Sequence, residues 1–95
     1  MEPSNGERLL LDLILSAKDR TSLKLLLSEI CTPKERATLI QRVGTAKAIL
    51  DRFTYRQIHE AIGSSSYIIS RAKQEILGSE NQYVVSYLTN QDRHK

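Results

Sequence analysis

Around Gly63 the chain gathers side chains able to touch a polyanion. Ser64, Ser65 and Ser66 follow the glycine directly, and Tyr67, Ile68, Ser70 and Arg71 occupy the next two turns. Short hydroxyls at a helix N-terminus can meet phosphate oxygens or base edges, and apolar groups can meet thymine methyls. Arg56, Arg71 and Lys73 outweigh Glu60, so the segment carries a positive balance. Ile58 lies five residues before Gly63 and Ile62 one before, while Ile69 lies six after and Ala72 nine after. This spacing gives two helices a pair of packing residues each across a turn of about three or four residues, as in a helix-turn-helix. The first turns of the second helix are then free to enter a major groove. Tyr67 and Ile68 fall on the face opposite the packing residues, where a surface helix without a target rarely places such side chains. His59 stands where many such motifs carry a small residue.

No other constellation in the sequence carries chemistry. His59 and His94 lie far apart and Cys31 is the single cysteine, so no cluster has metal-ligand spacing and no internal disulfide can form. Glycine-rich phosphate loops, a nucleophile elbow and paired catalytic carboxylates are missing from the sequence. Glu29, Glu35, Asp51 and Glu60 read as helix-surface charges, His59 as a phosphate neighbour or surface residue, and Cys31 as a small buried hydrophobe. The expectation is therefore a chain that is not an enzyme and takes no cofactor.

The elements that must hold the segment are helical. The chain has 95 residues, 40% of them apolar and 26% charged, which suits one small folded domain. A formal charge of +3 and a pI near 9.2 permit nucleic-acid binding without demanding it. No stretch alternates apolar and polar residues over strand length, and five or six helices fill the length. The first buries Leu9, Leu10, Leu13, Ile14 and Ala17 and ends near Lys18; Thr21 caps the second, which buries Leu23, Leu26, Leu27 and Ile30. Thr32-Pro33-Lys34-Glu35 combines a capping hydroxyl, a proline at the first helical position and a glutamate able to reach back. That helix runs to about Leu50 with Leu39, Val43, Ala46 and Leu50 on one stripe, and Gly44 in its interior marks close packing. Thr54 with Gln57 repeats the capping pattern for a short helix through Ile58, Ala61 and Ile62, which Gly63 terminates in a left-handed conformation. The serines cap a helix from Tyr67 to about Leu77, stopped by Gly78. Ser79 with Gln82 opens a last helix with Tyr83, Val84, Tyr87 and Leu88 on one face, and Thr89 to Lys95 should fray. The longest apolar run, Leu9 to Leu15, is broken by Asp12 and falls short of the roughly 20 residues of a membrane span. Met1-Glu2-Pro3 is no export signal, so the cytoplasm is the expected compartment.

Taken together, Thr32-Pro33-Lys34-Glu35-Arg36, Gln41-Arg42-Val43, Thr54-Tyr55-Arg56-Gln57-Ile58 and Gly63 to Arg71 resemble the Trp repressor superfamily, most closely its YerC/YecD branch. The resemblance implies an all-α, intertwined homodimer whose two reading helices enter successive major grooves of double-stranded DNA. It also implies an effector site between the long helix and the reading helix, matched by Thr32, Arg42 and Arg71. Ala72 stands where the tryptophan binders keep a glycine, and Glu75 replaces a small hydroxyl, both against L-tryptophan as the ligand. Read without the family, Arg42 and Arg71 are equally well solvated, or paired with Glu35 or Asp51.

Two functions fit these readings. The first is a sequence-specific DNA-binding transcriptional regulator, with Arg56 and Lys73 on phosphates and Ser65, Ser66, Tyr67 and Ser70 at the bases. The second is a helical protein-interaction module, in which the leucine-rich N-terminal helices and the Tyr83–Leu88 face bind a partner and the helix-turn-helix is scaffold.

Overall fold

The computed structural model describes residues 3–91, and every regular element among them is helical. In order these are α1 (Pro3–Ser16), α2 (Arg20–Ile30), α3 (Pro33–Leu50), α4 (Tyr55–Ile62), α5 (Ser66–Ala72), a π-helical turn (Lys73–Leu77) and α6 (Tyr83–Gln91). The chain divides into two compact units, residues 1–37 and 38–95.

In the first unit, helix limits are set by side chains a few residues from where periodicity puts them. α1 starts at Pro3, ahead of its apolar run, and stops at Ser16 rather than Lys18, with the Ser16 hydroxyl donating to the Leu13 carbonyl at 2.6 Å. Asp19, not Thr21, caps α2: its carboxylate accepts from Ser22 N–H at 2.7 Å, a charge-assisted bond that satisfies an amide the helix leaves open. That bond holds the Asp19 carboxyl below the usual carboxylate range. The expected capping box of α3 is present, Thr32 N–H donating to Glu35 at 2.8 Å and Glu35 N–H to the Thr32 hydroxyl at 3.1 Å. Arg36 reaches back to the carbonyls of Ser28 and Cys31 at the end of α2. No side chain of α2 is fully buried, and Leu9, Leu10, Leu11, Leu13, Leu15, Leu25 and Ile30 are exposed.

The second unit holds the buried core. Ala48, Ile58 and Ile69 form its centre with Ile49 and Ile62 packed against them, and Ala46, Ala72 and Leu88 are also buried. The stripe expected on α3 is thus only partly inward, because Leu39 and Val43 are exposed. A methyl on Gly44 would sit 3.8 Å from Ile62, an ordinary contact, so this glycine is not forced by close packing. α3 ends on Arg52, whose φ of 66° takes the left-handed turn usually left to glycine. Arg52 N–H bonds to the Ile49 carbonyl and Phe53 N–H to the Ala48 carbonyl, both at 3.0 Å, the paired pattern of a Schellman cap.

Beyond α5 the helix changes register at Lys73 instead of continuing as α-helix to Leu77. The start expected after Ser79 is also displaced. The Gln82 amide donates to the carbonyls of Leu77 and Ser79, Gln82 itself adopts φ 56°, and α6 begins only at Tyr83. Thr89 to Gln91 remain helical, while His94 and the rest of the expected frayed end lie outside the described residues.

Candidate nucleic-acid interface

Two short helices and one left-handed residue build the site. Thr54 and Gln57 cap α4 reciprocally, at 3.1 and 2.8 Å, and so fix where the helix begins. Gly63 ends it at φ 84°, ψ 11°, its N–H bonded to the His59 carbonyl at 2.9 Å. Ser65 caps α5, its hydroxyl accepting from Ile68 N–H at 3.3 Å. Ile58 from α4 and Ile69 from α5 meet in the core and Ala72 is buried as well, as the spacing about Gly63 requires.

Ser64 departs from its expected role. The sequence pattern groups it with the reading residues, yet it is fully buried and its hydroxyl lies 2.6 Å from that of Thr45, itself fully buried on α3. A hydroxyl sealed in this way cannot meet a groove; it ties the turn to the long helix instead. The His59 ring, on the exposed side of α4, has Nδ1 3.3 Å from the Ser64 carbonyl.

The other reading candidates face outward or lie at the edge. Tyr67 is 68% exposed, Ser65, Ser66, Arg71 and Lys73 are exposed, and Ile68 and Ser70 are half-buried. Arg56 has an 88% exposed side chain and pairs with Glu60 at 3.1 Å, a surface pair of i,i+4 type that a phosphate can replace at little cost. The Lys73 ammonium lies 4.7 Å from the centre of the Tyr55 ring. Hydrogen bonds from Lys73 and from Ser70 hold the Tyr55 phenol below the ordinary tyrosine range. Tyr55 therefore joins α4 to the far end of α5, a role that sequence reading missed because no periodicity links positions 55, 70 and 73.

Arg42 and Arg71 do converge, though on a partner neither helix pattern suggested. Arg42 donates to Glu75 Oε2 at 3.1 Å and Arg71 pairs with Glu75 Oε1. The alternatives are otherwise engaged, Asp51 with Lys47 at 3.2 Å and Glu35 in the Thr32 cap. The Arg71 guanidinium also lies 5.7 Å from the Tyr67 ring centre, within cation–π range. These groups, with Thr38, Gln41, Ile68 and Ala72, line an open pocket of about 300 Å³. Thr32, the third residue of the expected effector set, is committed to the α3 cap.

A family model described as Trp repressor protein matches residues 6–91, nearly the whole chain. The chain belongs to this family. Membership in the Trp repressor family points to a DNA-binding regulator of the Trp-repressor type, and the family's members are regulators rather than enzymes. No curated protein and no solved structure matches the chain significantly. Among the described residues no group of three or more His, Cys, Asp or Glu could hold a metal ion, and no helix is long and apolar enough to cross a membrane.

Proposed function

We propose that this Trp repressor family member is a sequence-specific regulator that binds double-stranded DNA as a homodimer, in the cytoplasm, without L-tryptophan as its effector. The motifs Thr32 to Arg36, Gln41 to Val43 and Gly63 to Arg71 further support placing it in the family's YerC/YecD branch. The observation that carries the reading is the reading helix itself: Ile69 and Ala72 bury one face of α5 while Tyr67 is left 68% exposed on the other. Arg56 and Lys73 flank that face as phosphate contacts, and Ser65, Ser66, Tyr67, Ile68 and Ser70 are the base-edge candidates. The bare leucines of α1 and α2 support the dimer, since a second copy would remove them from water at about 25 cal/mol per Å². Against L-tryptophan stand the Glu75 carboxylate on both arginines and the buried Ala72 methyl at the pocket wall.

Selection of binding sites from random duplex DNA, followed by affinity measurement across a salt series, tests the function. A dimer that neutralises about 4 to 6 phosphates gives a log–log slope near −0.9 per phosphate, and added L-tryptophan leaves the affinity unchanged. A salt-insensitive chain that selects no sequence is instead the protein-interaction module.

A further inference from the structure

We infer that Glu75 is a positioning residue for the reading helix, an internal carboxylate that clamps α5 to α3 and, through Arg71, holds Tyr67 in its reading pose. The inference deepens the DNA-reading proposal and rests on it for its functional half. Three charged groups from three places in the chain meet here: Arg42 on α3, Arg71 on α5 and Glu75 in the π-helical turn. The two oxygens of Glu75 are divided between them, Oε2 to Arg42 and Oε1 to Arg71. Arg71 in turn faces the Tyr67 ring at 5.7 Å. The side chains are 45%, 55% and 34% exposed for Arg42, Arg71 and Glu75, so each pair contributes modestly, but the two share one carboxylate and link two helices.

The arrangement has a consequence for ligands. Two arginines converging at the wall of a pocket of about 300 Å³ would suit an acidic small molecule, and here the chain supplies the acid. In this inference Glu75 takes the position of an acidic ligand, so the clamp itself needs no added acid.

Electrostatics alone predicts the opposite of the clamp, which makes the test decisive. Glu75→Gln removes a negative charge near the proposed DNA face and, by charge alone, tightens binding to every duplex equally. A glutamine, however, keeps one acceptor oxygen and can hold only one arginine well. If Glu75 positions the helix, E75Q narrows the gap between a selected duplex and random DNA about three- to tenfold, two ion pairs of this exposure each being worth a few-fold. Without DNA, E75Q also speeds amide exchange across residues 66–72 relative to 55–62. In E75A, acetate restores both the affinity gap and the slow exchange, whereas chloride at equal ionic strength does not.

An unchanged gap with both affinities raised together overturns the positioning role. So does exchange that E75Q leaves untouched, or acetate and chloride acting alike. Should the parent chain select no DNA sequence, the DNA-reading proposal fails while the exchange and acetate results still decide the clamp.

Discussion

Thr45→Val probes the buried tie beneath the reading helix. Thr45 and Ser64 have no solvent exposure and their hydroxyls stand 2.6 Å apart, with no buried side-chain polar atom left unpaired among the described residues. Valine keeps the shape of threonine, so packing is conserved and only the hydroxyl is lost. The Ser64 hydroxyl is then stranded in a site closed to water, at a cost of about 1–3 kcal/mol. Ser64→Ala strands the Thr45 hydroxyl at a similar cost. In the double variant nothing polar remains unpaired, so the loss falls short of the sum of the singles by about 1–2 kcal/mol. Against a total stability on the order of 5–15 kcal/mol, each single change is large enough to measure. Urea denaturation followed by helical circular dichroism at one fixed protein concentration reads it, since self-association would make stability concentration-dependent. Singles that lose under about 0.5 kcal/mol, or a double that is strictly additive, would refute the sealed hydrogen bond as the anchor of the turn.

Three further outcomes follow from the backbone and the caps. Gly63→Ala has open space around its methyl but a φ of 84°, so it costs about 1–2 kcal/mol in denaturation through backbone strain alone. Arg52→Gly relieves the same strain at the end of α3 and raises stability, by roughly 0.5–1 kcal/mol after glycine's extra unfolded-state entropy is deducted. Hydrogen bonds donated by Thr32, its backbone N–H first, hold the Glu35 carboxyl below the usual glutamate range, so the unfolded chain takes up that proton first as the pH falls. Its contribution is complete above the usual range and disappears as the pH drops through the lowered value; Glu35→Gln flattens this acid limb of the stability profile.

The legible parts of the fold were those encoded locally. Thr32 with Glu35, Thr54 with Gln57, and the left-handed Gly63 are each settled within four residues, and the Ile58–Ile69 contact follows from their distance to the turn. Helix ends were misread where two neighbouring residues could both serve. Asp19 displaces Thr21 as the α2 cap because its charge strengthens the bond, and Arg52 accepts a left-handed conformation that no glycine announced. Gln82 closes its turn with its side chain and delays α6, which the Ser79 pattern hid. At the site, exposure of Tyr67 was readable from helical phase. The burial of Ser64 was not, because its partner Thr45 lies 19 residues away. The Arg42–Glu75 bond spans 33 residues and depends on how α3 and α5 pack, so no local pattern could reveal it.

The central claim, that α5 reads DNA sequence, is tested most directly by comparing Tyr67→Ala with Arg56→Ala on a selected duplex and on random DNA. Base contacts specify and phosphate contacts position, so the two changes should differ in kind. Loss of the Tyr67 ring narrows the gap between selected and random duplexes, whereas loss of Arg56 weakens both together and lowers the salt slope by about 1. Identical binding by both variants and the parent on both duplexes would contradict α5 as the reading helix.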